Sequence, residues 1–308
     1  MTRRGLILFG CLGVAWGIPY LFIKIAVGEL APEVVVLSRS ALAAVLLLPI
    51  AAFRHEIAPV LRRWRPMLVY TVVELVIPWY FLSSAETRLP SSTTGLLIAA
   101  VPLAGFAVAW ALGKPTQFRG LNWLGIALGM AGVGALVGFD VHGSDLGAVA
   151  EVAVVVLGYA TGPAILAHWV PELPGVGVTA VSLAAVAVIY TPVVALRGSW
   201  PTAWPSGGVV ASIVVLAVVC SALAFVMMIA LIGEIGPVRS TAITYVNPAV
   251  AVFAGVLFLS ERLTIWKVLG LALVLGGSAL ATRHRPGTAS PAVPLDPTVD
   301  EAVAATGR

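Results

Sequence analysis

The chain has 308 residues, of which 60% are hydrophobic and only 10% are charged, and its formal net charge is +4. An ordinary soluble domain is about 25% charged, so this composition argues against a soluble fold and indicates a membrane protein. The basic residues lie in short segments beside apolar runs, where Lys and Arg set membrane topology and touch anionic lipid. The positive charge therefore does not indicate a nucleic-acid partner.

Apolar runs long enough to cross a bilayer recur along the chain. About 20 apolar residues in an α-helix cross roughly 30 Å of hydrocarbon. The predicted spans are residues 5–27, 33–53, 66–82, 91–112, 121–138, 146–168, 176–196, 209–232, 240–259 and 265–282. We therefore predict an all-α, multi-pass protein of the cell membrane with ten transmembrane helices. Residues 283–308, rich in Pro, Ala and Thr, are predicted to form a disordered tail.

The distribution of Lys and Arg predicts the orientation. With the N-terminus inside, the cytoplasmic segments hold most of the basic residues, including four arginines within residues 54–65. The opposite side holds only Arg88, Arg197, Arg262 and Lys267. Both termini, and the tail, are therefore predicted to be cytoplasmic.

In chain order, the first charged side chains predicted to enter the membrane are Lys24 and Arg39. Both lie a few residues in from the predicted external face, as does Glu151 in the sixth span. Lys24 is a gate or ion-pair candidate, and the alternative is that it extends its ammonium group to the interface. Arg39 lies among small residues that permit close helix packing, and a guanidinium can hold a carboxylate at two points. We predict an Arg39–Glu151 pair that forms a gate or competes with substrate.

The third predicted span contains one carboxylate near its middle, Glu74, eight residues from either end. That depth is about 12 Å by helix rise, too far for a Glu side chain to reach water, so Glu74 must face protein or a water-filled cavity. A carboxyl group in a dry site favours its protonated form and releases the proton when water enters. Glu74 is therefore the proton-coupling candidate. The alternative is a protonated or ion-paired carboxyl group that only fixes helix packing.

Prolines inside the spans predict bends around a central cavity. Pro78 leaves the carbonyl of Glu74 without its helical donor, and freed carbonyls survive in a membrane only against protein or cavity water. The predicted helix-bend residues are Pro19, Pro78, Pro102, Pro163 and Pro248. The predicted cavity-lining residues are Trp16, Tyr20, Trp79, Tyr80, Tyr159, Tyr245 and Asn247. The alternative is that these prolines are ordinary kinks and that the aromatic rings are packed or interfacial.

Five landmarks recur in the second half of the chain at offsets of 143 to 146 residues. They are Pro19 with Pro163, Glu29 with Glu172, Pro49 with Pro192, Pro102 with Pro248, and Gly125 with Gly270. We interpret residues 5–138 and 146–282 as two five-helix repeats. An odd number of spans inverts the second copy relative to the first, an arrangement found in transporters with the substrate site near the bilayer midplane.

Two stretches carry a family resemblance. Residues 15–49, "AWGIPYLFIKIAVGELAPEVVVLSRSALAAVLLLP", and residues 247–280, "NPAVAVFAGVLFLSERLTIWKVLGLALVLGGSAL", resemble the beginning and end of EamA-type repeats of the drug/metabolite transporter superfamily. The resemblance implies a ten-helix secondary transporter, commonly an exporter of amino acids, metabolites or drugs. The first unit has "GKPTQFRG" where Glu-Arg would often stand, so we interpret Glu261 as a structural residue at a helix junction.

The remaining patterns bear on partners and on other classes of function. Glycines at spacings of three and four in residues 121–138 and 270–280 predict close helix contacts, either in a homodimer or within the chain. No metal or cofactor site is predicted, and the absence of a catalytic constellation argues against an enzyme. The expected partners are lipid, a small-molecule substrate and, if Glu74 titrates, protons. A passive facilitator of small neutral or zwitterionic solutes is the alternative function.

Overall fold

The computed structural model describes residues 2–111, 120–139, 145–236 and 240–281. Within these ranges all regular secondary structure is helical. Nine helical stretches in the described part are long and apolar enough to cross a membrane. A tenth helix, Ile265–Ala281, has 17 residues, or about 26 Å of length, near the lower limit for a span. The predicted fold class is confirmed, with ten as an approximate count. The predicted tail lies outside the described residues.

We number the spans in chain order. The first half contains span 1 (Arg3–Gly17 and Pro19–Ala26), span 2 (Pro32–Phe53), span 3 (Trp64–Thr71 and Ile77–Arg88), span 4 (Ser91–Ile98 and Val101–Ala111) and span 5 (Gly120–Phe139). A short helix, Ile57–Arg62, leads into span 3. The second half contains span 6 (Leu146–Trp169), span 7 (Gly175–Arg197), span 8 (Gly207–Ala217 and Ala224–Ile235), span 9 (Asn247–Leu259) and span 10 (Ile265–Ala281).

The spans pack in the pairs expected of two inverted copies. Span 1 packs against span 8 and span 3 against span 6, and these two pairs exchange when the halves are exchanged. Spans 2 and 7, 4 and 9, and 5 and 10 pair with their own counterparts. The core of the molecule is therefore built mainly from contacts between the halves. These contacts have the pattern expected when a two-fold axis in the membrane plane relates the two halves.

Glycines in spans 5 and 10 bring these two helices together within one chain. A Cβ atom added at Gly277 would lie 2.4 Å from the backbone nitrogen of Gly129, and one at Gly132 would lie 2.8 Å from Leu273 Cβ. Side chains at these positions would force the helices apart, so the small residues permit the contact. Of the two roles predicted for these glycine faces, packing within the chain is the one present in the structure.

The landmark carboxylates Glu29 and Glu172 make equivalent contacts in the two halves. Glu29 follows span 1 and accepts a hydrogen bond from the backbone N–H of Ser206 (2.8 Å), just before span 8. Glu172 follows span 6 and pairs with Arg63 (3.0 Å), just before span 3. The hydroxyl and the backbone N–H of Ser206 lower the pKa of Glu29. We call the end of the bundle that holds Glu29 the distal face, because it lies opposite the N-terminus.

Four of the five predicted helix-bend prolines coincide with an interruption of the α-helix. Pro19 begins a new helix after Ile18, and Pro102 follows a turn at residues 99–100. Pro248 follows a 3-10 segment, Thr241–Tyr245, and Pro78 follows a π-helical segment, Val72–Val76. Pro163 differs, because the helix of span 6 runs through it without interruption.

Candidate transport site

Glu74 lies in the π-helical segment of span 3. The N–H of Ile77 bonds to the carbonyl of Val72, one residue wider than the α-helical pattern, and Pro78 follows with no N–H to donate. Part of the Glu74 side chain lies at the surface of the bundle. Its Oε2 atom is nevertheless enclosed and has no hydrogen-bond partner.

Two glycines of span 6 form the surface on which this segment rests. A Cβ atom at Gly162 would lie 2.0 Å from Glu74 Oε2 and 2.7 Å from Glu74 Cβ. One at Gly158 would lie 2.5 Å from both the carbonyl oxygen of Val73 and Pro78 Cγ. The spacing of four places both glycines on one helix face. Their lack of side chains is what allows the carboxyl group of Glu74 to be enclosed there.

Arg39 forms the second charged part of the site. It is 4% exposed, and its Cζ lies 3.8 Å from the centroid of the Trp79 ring, a cation–π geometry. Nη2 donates a hydrogen bond to Ser221 Oγ (3.0 Å), whereas Nε is buried without a partner. Arg39 therefore joins spans 2, 3 and 8 across the boundary between the halves.

Tyrosine side chains connect the two charged groups. Tyr159 of span 6 lies beside Trp79 and within electrostatic reach of both Glu74 and Arg39. Tyr20 of span 1 is 6% exposed and lies within reach of Tyr159. We define the central cluster as Tyr20, Arg39, Glu74, Trp79 and Tyr159. Its members come from spans 1, 2, 3 and 6, and contact span 8 through Arg39.

The halves share the backbone of this site but differ in charge. Span 8 contains a π-helical segment, Val218–Leu223, at the position equivalent to Val72–Val76. Cys220 and Ser221 occupy that segment where span 3 has Glu74, and Ser182 of span 7 stands where span 2 has Arg39. Ser182 accepts a hydrogen bond from Thr71 (3.0 Å) beside the first π-helical segment. Both charges of the central cluster therefore come from the first half.

The other predicted cavity-lining residues lie elsewhere. Trp16 packs edge-on against Phe225 (5.8 Å between centroids). Tyr80 stacks on Tyr190 at 6.4 Å, and its hydroxyl accepts a hydrogen bond from Arg197.

Tyr245 and Asn247 lie where the 3-10 segment meets span 9. The backbone carbonyl of Asn247 faces Gly17 of span 1, and its Oδ1 atom is buried without a partner. Asn247 therefore belongs to the contact between spans 1 and 9.

The predicted Arg39–Glu151 pair is wrong for this conformation. Glu151 pairs with Arg88, whose Nη2 lies 2.6 Å from Glu151 Oε1. Span 6 runs alongside span 3, so the start of span 6 lies beside the end of span 3 and Glu151 meets Arg88 there. Arg39 instead faces Trp79 and span 8. The gate candidate Lys24 donates to the backbone carbonyls of Glu86 (2.6 Å) and Leu89 (2.9 Å).

Glu86 is a buried charged residue that sequence reasoning missed. The prediction ended span 3 at residue 82, which placed Glu86 in a loop, whereas the helix continues to Arg88. Glu86 is 0% exposed. The helical character of residues 83–88 and the Pro90 that follows were the available signals.

Glu261 caps span 4 from the opposite half. Its Oε1 accepts from the N–H and hydroxyl of Ser91 (2.7 and 2.9 Å), and its Oε2 accepts from the N–H (3.0 Å) and hydroxyl of Ser92. Lys267 donates to the Ser92 hydroxyl (2.9 Å). A carboxylate at a helix N-terminus accepts hydrogen bonds from the free N–H groups and interacts favourably with the helix dipole. The first two hydroxyl groups of the "SSTTG" stretch donate to Glu261, and that of Thr94 donates to the carbonyl of Pro90 (3.1 Å).

We expect Glu261→Gln to lower the free energy of unfolding by about 1–3 kcal/mol at neutral pH, because a charged acceptor of four hydrogen bonds is lost. Burial opposes the charge of Glu261, but the hydrogen bonds from Ser92 and Ser91 outweigh it and lower the pKa. This contribution is present above the usual Glu pKa of about 4.3 and is lost as the pH falls through the lowered value. The difference between wild type and variant should therefore shrink in acid.

Thermal unfolding of the detergent-purified protein across pH measures this difference. The matched control is Glu29→Gln, since Glu29 is exposed at the same face and accepts from a single residue. We expect that control to lower the unfolding temperature much less than Glu261→Gln does, because the contact of Glu29 is exposed to water. Equal unfolding temperatures for Glu261→Gln and wild type at neutral pH would contradict a stabilising cap.

A helical bundle of two inverted repeats, with buried charges where the halves meet, has the architecture of a membrane transporter. The EamA-like transporter family model matches the chain twice, over residues 3–138 and 147–283. The chain belongs to the EamA-like transporter family, as the resemblance predicted.

Similar proteins agree with this membership. The chain is 28% identical over 289 residues to the uncharacterized inner membrane transporter YedA of Escherichia coli K12, and equally to that of strain O157:H7. These matches cover 91% of this chain and 92% of YedA. A crystal structure described only as that of a protein matches with a TM-score of 0.66 and 19% identity, covering 92% of this chain and 97% of the other. That likeness supports the fold.

Proposed function

We propose that this EamA-family protein is a secondary active transporter that exports small metabolites, amino acids or drugs by alternating access, with proton coupling at Glu74. We place it in the inner membrane with both termini cytoplasmic, in keeping with the distribution of Lys and Arg. The substrates we expect are small neutral, zwitterionic or amphipathic solutes.

The observation that carries the proposal is the enclosed, unpartnered Oε2 of Glu74 where span 3 meets span 6. A carboxylate left without a partner in an apolar site is unstable, so a dry site favours the protonated form. Spans 3 and 6 belong to different halves, so movement of one half against the other separates Glu74 from Gly162 and admits water. Alternating access would then alternate the protonation of Glu74.

Arg39 and the rings beside it supply the contacts proposed for substrate. The guanidinium lies over Trp79 with its Nε buried and unpartnered, so the Nε–H is available for an incoming acceptor. A carboxylate is the group that a guanidinium binds best, and Trp79 and Tyr159 offer aromatic surface beside it. A zwitterionic or amphipathic solute fits this combination.

Flux in proteoliposomes tests the proposal. The twenty amino acids and a panel of amphipathic cations would first be screened for thermal stabilisation of the purified protein. Transport of each stabilising compound would then be measured with and without an imposed pH gradient. We expect the gradient to drive accumulation of the compound against its own concentration gradient. If the compound equilibrates at the same rate with and without the pH gradient, the protein is instead a passive facilitator.

A homodimer is not part of the proposal. The prediction of a dimer rested on the glycine faces of spans 5 and 10, and these faces pack against each other within one chain. The protein is therefore proposed to transport as a single chain.

A further inference from the structure

Glu86 is a second buried carboxyl group on the helix that carries Glu74. It lies twelve residues further along span 3, about 18 Å by helix rise, towards the distal face. The residue is 0% exposed, and both of its carboxyl oxygens are buried without a hydrogen-bond partner. A carboxylate in such a place is strongly disfavoured unless a cation lies nearby.

Lys24 of span 1 is the cation that interacts with Glu86. Among charged groups it acts most strongly on the Glu86 carboxyl group, yet its ammonium group binds the backbone carbonyls of Glu86 and Leu89. Carbonyls at the end of a helix lack helical donors and attract cations. Lys24 therefore caps span 3, and the carboxyl group of Glu86 remains without its hydrogen bonds.

A cleft on the distal face reaches this lysine. It has a volume of about 330 Å³ and is lined by Lys24, Arg88, Pro90, Leu259 and Glu261. Glu86 does not line the cleft, but Lys24, which does, donates to the backbone carbonyl of Glu86. The titratable and charged groups that act on Glu86 from neighbouring elements are Lys24, Glu261, Arg39, Tyr20 and Tyr159. Lys24 is therefore the side chain that joins the cleft to the residue Glu86.

We propose that Glu86 is a second proton-binding site, loaded and unloaded from the distal cleft, and that Lys24 responds to its charge. With Glu86 protonated, Lys24 stays on the helix carbonyls, as in this structure. On deprotonation the carboxyl O–H bond breaks, the proton passes to water in the cleft, and the carboxylate keeps the electron pair. The ammonium group of Lys24 then moves from the carbonyls to the carboxylate. The inference rests on the proposed proton coupling and adds a site to it.

Infrared difference spectroscopy of the full-length protein in lipid tests this site without a substrate. A pH change alters the C=O stretching band of any carboxyl group that gains or loses a proton. We expect Glu86→Gln to lose one band that wild type shows, and Glu74→Gln to keep that band and lose another. Glu151→Gln is the matched control at the same face. Glu151 also has one buried oxygen without a partner, but its other oxygen pairs with Arg88, so this variant should keep both bands. A wild-type spectrum from Glu86→Gln would overturn the proposal.

Lys24 variants test the second half of the inference. In Lys24→Met the Glu86 band should persist unchanged across the pH range, because the carboxylate has lost its compensating cation. Lys24→Arg should restore its titration. If the Glu86 band of Lys24→Met titrates as it does in wild type, Lys24 does not respond to the charge of Glu86 and that part of the proposal is wrong. If Glu86→Gln does not fold, Glu86→Asp replaces it. The variant keeps a titrating carboxyl group, so the band assigned to Glu86 should shift in frequency rather than disappear.

These results are separable from the outcome for the proposed function. A Glu86 band that titrates while flux is insensitive to the pH gradient would support the proton site and contradict proton-driven transport. Gradient-driven flux with no Glu86 band would support the proposed function and overturn this inference.

Discussion

Replacing Glu74 by Gln is expected to abolish accumulation driven by a pH gradient while leaving membrane insertion and folding intact. The amide has nearly the size of the carboxyl group, so the contact with Gly162 is preserved, but it cannot carry a proton. Flux should fall to that measured without the gradient. The measurement is uptake of a stabilising compound into proteoliposomes, with size-exclusion chromatography to check folding.

The control for this variant is Glu172→Gln. Glu172 forms an exposed pair with Arg63, and exposed ion pairs contribute little, so gradient-driven flux should remain at the wild-type rate. Glu74→Asp keeps a titratable group and should retain part of the coupling. Normal gradient-driven flux in Glu74→Gln across pH would leave Glu74 with the purely structural role considered in the sequence analysis.

Gly158→Ala is the second change for which we expect a large effect. Its new Cβ would lie 2.5 Å from the Val73 carbonyl oxygen and from Pro78 Cγ, and one of these is backbone that cannot move alone. Overpacking of this kind costs about 1–3 kcal/mol. Span 6 should be displaced from span 3, which also loosens the enclosure of Glu74.

Gly134→Ala is the matched control. A Cβ at Gly134 of span 5 meets nothing within 4 Å, and replacing Gly by Ala in a helix stabilises by about 0.5–1 kcal/mol. The unfolding temperature in detergent should therefore fall for Gly158→Ala and stay level or rise for Gly134→Ala. Equal changes would show that the contact at Gly158 is looser than the structure indicates.

Prolines and buried charges show which structural features the local sequence predicts and which it does not. Pro78 predicted an irregular helix beside Glu74, since a missing N–H acts on its own helix, and a π-helical segment is present there. The matching segment in span 8 contains no proline and carried no such signal. Only the tertiary structure shows it.

Pairing of charges was the least predictable feature. Arg39 and Glu151 have equal predicted depths, but depth does not specify which spans are neighbours. Glu261 shows the same limit from the other direction. Its place in a turn predicts a structural role, but its partners, Ser91 and Ser92, lie about 170 residues away in the sequence.

The sequence by itself determined the helical membrane fold, the duplication and the family, because hydropathy, span length and repeated landmarks depend only on the order of residues along the chain. It also marked Glu74, since a carboxylate in the middle of an apolar span has a high energetic cost wherever the helix packs. Only the tertiary structure decided which groups face one another: Glu74 with Gly162, Arg39 with Trp79, and Lys24 with the helix end that carries Glu86. These contacts depend on how the two halves interlock, and packing across spans distant in sequence sets them.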